Sequence, residues 1–169
     1  MKNSVLMICL LLMGALPSWA QKYGHLNYGN VLTLMPEVKQ ADAQLEVFQK
    51  ELVSKGERMA VEFRGNVAKF VTEQQSGILS PKEQQTKREA LEREQAAIEA
   101  YEQEIQRQVN LKREELLKPL TDRLDKAIEA VAKANGFTLV FDTGAFNAVL
   151  YGAESIDLFP MVKKELGIN

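Results

Sequence analysis

Gln75-Ser76-Gly77-Ile78-Leu79-Ser80-Pro81-Lys82-Glu83 holds the one break in a helix-forming stretch that runs from Glu37 to Asn135. Ser76-Gly77 stops one helix. Ser80 then offers an N-cap, Pro81 suits the first helical position and Glu83 closes a capping box, so a second helix starts there. Before the break, apolar residues fall at Val38, Ala41, Leu45, Phe48 and Leu52, alternately three and four apart. That spacing is a heptad stripe on one helix face. It resumes at Met59, Phe63, Val67 and Phe70, and beyond the break at Leu91, Ile98, Ile105, Val109, Leu116 and on to Val131. Each helix has one narrow apolar stripe that needs a partner, and the turn between them is short. Folding back as an antiparallel hairpin is therefore favoured over two diverging rods. At about 1.5 Å per residue the first arm, Glu37 to Gln75, spans roughly 60 Å. The expected molecule is a long two-helix arm on something smaller.

The chain opens Met1-Lys2-Asn3, turns apolar from Val5 to Leu16, and continues Pro17-Ser18-Trp19-Ala20. A positive residue, a short apolar core and small residues at Ser18 and Ala20 are the three parts of a secretory signal peptide; the alternative is a buried N-terminal element. The apolar run is shorter than the about 20 residues a membrane span needs. Cleavage after Ala20 takes Cys9, the only cysteine, with it and excludes disulfide and thiol chemistry from the exported chain. Of 21 basic residues Lys2 is also lost, leaving 20 against 23 acidic and a net charge of −3. A weakly acidic balance argues against a nucleic-acid partner. It also supplies no long-range attraction to anionic lipid. The flanks of the hairpin are too short for a separate large core, and a lone hairpin buries little area. Stability is expected only in an oligomer whose base is assembled from the flanks of several chains.

Taken in order, residues 1–20 read as the signal peptide, 21–36 and 120–169 as a β body, and 37–119 as the arm with its tip near 76–80. Tyr23 to Tyr28 is a short strand candidate. Thr33 is placed to cap a brief helical turn before Pro36. Gly56 and Gly65 lie inside the first arm, where each costs about 1 kcal/mol relative to alanine. They coincide with the irregular step Met59-Phe63-Val67, so the arm has soft points. Pro119 interrupts the second arm and predicts a kink where the arm enters its base. Asn135-Gly136 ends that helix with a left-handed cap. Phe137 to Asp142 reads as a strand buried on both faces. Ala148 to Gly152 reads as its return strand in a hairpin. Asp157 is placed to cap a last helix, Pro160 to Leu166, ended by Gly167.

These pieces, in this order and spacing, resemble the Skp (OmpH-like) family of periplasmic chaperones. The resemblance is carried by Pro119-Leu120, by Val131-Ala132-x-Ala134-Asn135-Gly136-Phe137-x-Leu139-Val140-Phe141-Asp142, by Val149-Leu150-Tyr151, and by Asp157 with Val162 and Leu166. It covers the whole mature chain. It implies an α+β fold: a long helical hairpin, a coiled-coil arm, on a small β body that trimerises as a β-barrel. It also implies a homotrimer that shelters unfolded outer-membrane proteins between its arms without ATP. Two features depart from the family. Phe159-Pro160 stands where a Thr and an acidic residue are usual. The region Glu37 to Asn135 carries 17 basic and 19 acidic residues, whereas well-known members are strongly basic. Electrostatic capture of acidic clients or lipid headgroups is therefore not carried over, and a weak membrane-surface contact is left open.

Candidate client-contact residues gather at the arm tip: Phe70, Val71, Ile78 and Leu79. The plainer reading is that Phe70 and Ile78 close the seam; Phe70 is on the stripe, so Ile78-Leu79 is the better candidate for exposure. Gly56, Gly65 and Pro119 are the hinge candidates. The charged arm positions read first as a solvated face with local ion pairs. His25, the only histidine, has no second histidine or cysteine to complete a zinc set or a nucleophile dyad. There is no phosphate-binding glycine loop, and Glu114-Glu115 point to different helix faces. No catalytic residue, cofactor or metal is expected. The rival to a chaperone is a structural envelope protein whose arms act as a spacer or as a docking partner for another coiled coil.

Overall fold

A computed structural model describes residues 21–146, 148–152 and 154–168. The signal-peptide segment, 1–20, lies outside the described residues. The fold is α+β, mostly helical with a small three-stranded sheet. In order the elements are β1 (Lys22–Leu26), α1 (Tyr28–Leu34), α2 (Pro36–Gln75), α3 (Pro81–Asn135), β2 (Phe137–Asp142), β3 (Ile156–Asp157) and α4 (Phe159–Leu166). The chain divides into two compact units, one formed by residues up to Gly29 and from Lys126 on, the other by Asn30–Asp125.

The second unit contains the helical hairpin. Its turn follows from local chemistry. Gly77 takes a positive φ of 68° just past the end of α2, a conformation that favours glycine. Ser80 Oγ accepts from the Glu83 amide at 3.3 Å and Glu83 Oε2 accepts from the Ser80 amide at 2.8 Å, completing the capping box. The helices then run antiparallel without a slip. Glu73 meets Lys87, Asn66 meets Glu94 and Glu37 meets Arg123. Each step away from the turn on α2 is matched by an equal step on α3. The seam residues Leu45, Phe48, Leu52, Met59, Phe63 and Phe70 are half-buried, and Val38, Ala41 and Val109 are buried. A two-helix seam covers only one side of each stripe residue, which is why burial along it stays partial. Pro119 lies inside α3, which continues past it to Asn135. Thr33 does not cap a helix start. It lies near the end of α1 and its hydroxyl donates to the Asn30 carbonyl at 3.0 Å.

The first unit holds the sheet, in the order β2-β1-β3, with both outer strands parallel to β1. A parallel pair needs a long crossover, and the helices between β1 and β2 supply it. His25 pairs with Phe141 on one side and with Asp157 on the other. Gly24 is required here, because a Cβ at this position would overlap the Leu158 side chain and crowd Phe137 at 3.1 Å. Leu26, Ala127, Val131, Leu158, Val162 and Leu166 are the buried apolar residues of this unit.

Two sequence expectations fail in this unit. Ala148 to Gly152 is not a strand; the third strand is Ile156–Asp157, parallel to β1 rather than paired with β2 in a hairpin. Strand propensity at Val149-Leu150-Tyr151 shows only that these residues suit a pleated surface, and the outer edge of β2 is free of pairing among the described residues. Nor is β2 buried on both faces: Leu139 and Phe141 are exposed, because β2 is an edge strand in one copy of the chain.

Candidate functional site

The arm tip is a hydrogen-bonded turn that leaves Ile78 exposed. Besides the capping box, Ser76 Oγ donates to the Glu73 carbonyl and the Gln84 side-chain amide donates to the Leu79 carbonyl. Ile78 stands out of this framework, 69% exposed. Val71 is exposed, while Phe70 and Leu79 are half-buried. The four tip candidates therefore divide into two that solvent reaches freely and two that the hairpin partly covers. Phe70 lines a surface concavity of about 220 Å³ with Leu91, Glu73 and Lys87. A second concavity of about 220 Å³ is lined by Met59, Phe63, Ala97 and Ile98. Asn66 and Glu94 line both, with the Asn66 amide donating to the Glu94 carboxylate at 3.0 Å. This polar pair crosses the distal seam in a stretch where packing is loose.

The hinge candidates have unlike surroundings. A Cβ on Gly65 would meet open space. Gly56 faces Tyr101, whose ring would be 3.5 Å from such a Cβ. Tyr101 reaches across the hairpin, its hydroxyl donating to the Leu52 carbonyl at 3.2 Å, and Lys55 Nζ lies 4.9 Å from the ring centroid. Sequence reasoning missed Tyr101. It lies off the main run of aliphatic stripe residues, and the signal that could have found it is the three-residue step back from it to Ile98 on the seam.

Several charges on α3 are locally paired. Arg107 donates to Glu104 at 2.5 and 2.7 Å, Lys112 to Glu115 at 2.9 Å, and Lys118 to Asp122 at 3.1 Å. The hydrogen bonds from Arg107 and then Gln108 hold the Glu104 carboxyl at about 2. Hydrogen bonds from Ser80 likewise hold the Glu83 carboxyl below its usual range. These exposed pairs fit a solvated helix face.

In the strand unit Asp142 is the organising polar residue. Its Oδ1 accepts from the Tyr28 amide at 3.0 Å, at the start of α1, and from the Gly144 amide at 2.7 Å. Lys22 donates to the Asn135 carbonyl at the end of α3 and lies over the Phe137 ring. His25 Nδ1 is 2.6 Å from Ser155 Oγ, which places the lone histidine in a packed strand position. Asp157 Oδ1 accepts from the Phe159 amide at 2.9 Å and so anchors the start of α4. Beyond β2 the chain is open to solvent. Tyr23, Phe141, Val149, Leu150 and Tyr151 line a concavity of about 470 Å³. Phe146 is 94% exposed, and Leu150 and Tyr151 are each 86% exposed.

Among the described residues no group of three or more His, Cys, Asp or Glu converges as metal ligands. No helix among them is long and apolar enough to cross a membrane. The chain matches no curated protein at a significant level. It does match the family described as "Outer membrane protein (OmpH-like)" over residues 22–166, nearly its whole length. Two long helices and a small three-stranded sheet agree with that match. The chain belongs to the OmpH-like family, a chaperone family rather than an enzyme family, whose members are periplasmic and bind unfolded outer-membrane proteins.

Proposed function

We propose that the chain is an ATP-independent holdase that works as a homotrimer. The strand units of three copies join in a small β-barrel, and their helical hairpins enclose a space in which an unfolded outer-membrane β-barrel protein is sheltered. The observation that carries this reading is the apolar surface of the strand unit. Phe146, Leu150 and Tyr151 are exposed, as are Leu139 and Phe141 of β2, whose outer edge has no partner among the described residues. A soluble protein rarely leaves such a patch and such an edge uncovered, and copies of the same unit supply matching cover. Val149-Leu150-Tyr151, strand-like in sequence yet unpaired in one copy, then has an edge to join. The charged arms, with local ion pairs along α3, give clients weak contacts at many points rather than one tight site. Val71 and Ile78, with the half-covered Phe70 and Leu79, add apolar contacts at the tip. Gly56, Gly65 and Pro119 let the arms splay for clients of different size.

Two measurements test the reading. Light scattering gives the mass in solution, and a monomer at micromolar concentration removes the enclosed space. The second is suppression of aggregation when a urea-unfolded outer-membrane protein is diluted into about one trimer per client. Full suppression without nucleotide supports the holdase. An intact trimer that leaves aggregation unchanged points instead to a structural spacer. Splaying is tested by replacing Gly56 and Gly65 with alanine; unchanged holding of both large and small clients rejects it.

A further inference from the structure

The sheet has one covered face and one open face. Gly24 and Leu26 of β1 are buried. Alternation along the strand puts Tyr23 and His25 on the other side, with their register partners Leu139 and Phe141 of β2. A ring contact between Tyr23 and Phe141, 6.4 Å between centroids, agrees with that shared side. Tyr23, Leu139 and Phe141 are exposed and His25 is half-buried. This face borders the concavity of about 470 Å³ walled by Val149, Leu150 and Tyr151. Its β1 and β2 positions are aromatic or aliphatic except at His25, the one histidine of the chain.

His25 is also a joint. Its ring Nδ1 is 2.6 Å from Ser155 Oγ, on the wall of the concavity. Its carbonyl accepts from the Leu158 amide at 2.8 Å, and it pairs with Phe141 in β2 and with Asp157 in β3. Among the described residues Ser155 is the sole hydrogen-bond partner of the ring. A neutral ring can donate from Nδ1 to Ser155 and leave Nε2 bare. A protonated ring carries a second N–H and a charge, and both then depend on water. Histidine is the side-chain type whose charge changes between about pH 5 and 8 in ordinary surroundings.

Covering this face with another copy of the strand unit withdraws that water. A neutral ring tolerates the change. A charged ring loses its hydration and gains no partner, so covering disfavours the charged form. The neighbouring charges do not reverse this. Asp157 is the register partner of His25, and Glu154 is on the wall beside Ser155. Both carboxylates belong to the same chain as the ring, so they attract an imidazolium before and after assembly. Asp157 Oδ1 is in addition held by the Phe159 amide. Tyr23 and Tyr151 add phenols to the wall, and on the β2 side the partner is the uncharged Phe141. What changes on covering is solvation.

We propose that His25 is an acid-sensitive switch on self-assembly: the neutral ring lets the strand units of separate copies close over this face, and the protonated ring drives them apart. This rests on the reading that copies join through the strand unit, and it adds the regulation of that joint.

The test uses the untagged mature chain, so that His25 is the only histidine in the sample. Sedimentation velocity at one ionic strength gives the apparent association constant at pH 7.5 and pH 6.0. The wild type should associate at least about tenfold more weakly at the lower pH. His25→Gln keeps a donor for Ser155 but has no titrating ring, and its association should be unchanged. A second measurement needs no substitution. The single histidine ring resonance is followed by NMR through a pH titration at low and at high chain concentration, and its midpoint should move to lower pH as concentration drives assembly. Equal association of the wild type at both pH values, a glutamine variant that weakens with acid as the wild type does, or a midpoint independent of concentration overturns the switch while leaving the assembly standing. A wild type that is monomeric at pH 7.5 removes both.

Discussion

Tyr101 donates its hydroxyl proton across the hairpin to the Leu52 carbonyl, 3.2 Å away, while its ring faces the bare backbone of Gly56. The two contacts depend on each other. A glycine at 56 gives the ring room beside α2, and the ring's position brings the hydroxyl to a carbonyl one turn earlier. Replacing Tyr101 with Phe keeps the ring and removes the donor. Loss of one half-buried hydrogen bond is expected to cost about 1 kcal/mol. Urea denaturation followed by circular dichroism checks this, and an unchanged midpoint means water replaces the hydroxyl without loss.

Gly65 gives the opposite expectation. Its backbone is helical and a Cβ there meets nothing within 4 Å. Gly65→Ala should raise arm stability by about 1 kcal/mol, since alanine loses less entropy in a helix and finds no obstacle. Gly56→Ala should gain less than Gly65→Ala, because its methyl must fit against Tyr101 at 3.5 Å. Melting temperatures at one protein concentration rank the two variants. Equal gains mean that the ring yields freely.

The tip turn depends on a reciprocal pair, Ser80 with Glu83. Ser80→Ala removes the side-chain cap and should destabilise the start of α3 by about 1 kcal/mol. The effect should be local. Amide exchange at Glu83 and Gln84 should quicken, while Val109, deep in the seam, keeps its protection. Quickening along the whole hairpin contradicts the local reading.

Acid should weaken the arm by a stated route. Arg107 and Gln108 hold the Glu104 carboxyl at about 2, below the ordinary 4.5. A carboxyl depressed on folding stabilises fully above its unfolded value, and that stabilisation fades as pH falls from about 4.5 toward about 2. The Glu104 side chain is only half-buried and Arg107 is exposed, so the effect is modest and salt-sensitive. The stability difference between wild type and Glu104→Gln should be present at neutral pH and vanish near pH 2. A difference that grows on acidification reverses the sign and rejects this account.

In the strand unit Gly24→Ala should cost between about 1 and 3 kcal/mol, because the new methyl meets the buried Leu158 and the Phe137 ring. Urea midpoints measured at fixed chain concentration check it. A neutral result means that β1 and α4 shift apart easily.

The hairpin is legible in the sequence. Ser80, Pro81 and Glu83 mark its turn, and the stripe from Val38 to Phe70 marks its seam. Capping and heptad periodicity act within a few residues of chain and so are written locally. The glycine ending α3 was legible for the same reason, whereas the N-cap of α4 is Leu158, and Asp157, expected to cap it, lies one residue earlier and accepts from the Phe159 amide. The sheet was not. β2 carries the residues of a buried central strand but is an edge, and Val149-Leu150-Tyr151 has strand propensity without a strand. Propensity describes a surface and is silent on which segment, or which copy, will cover it. Parallel pairing on both sides of β1, Asp142 capping Tyr28 from 114 residues away, and the valines of α2 left outside the seam emerged only from the folded chain. Those features depend on which distant segments meet, and no local interaction along the chain encodes that choice.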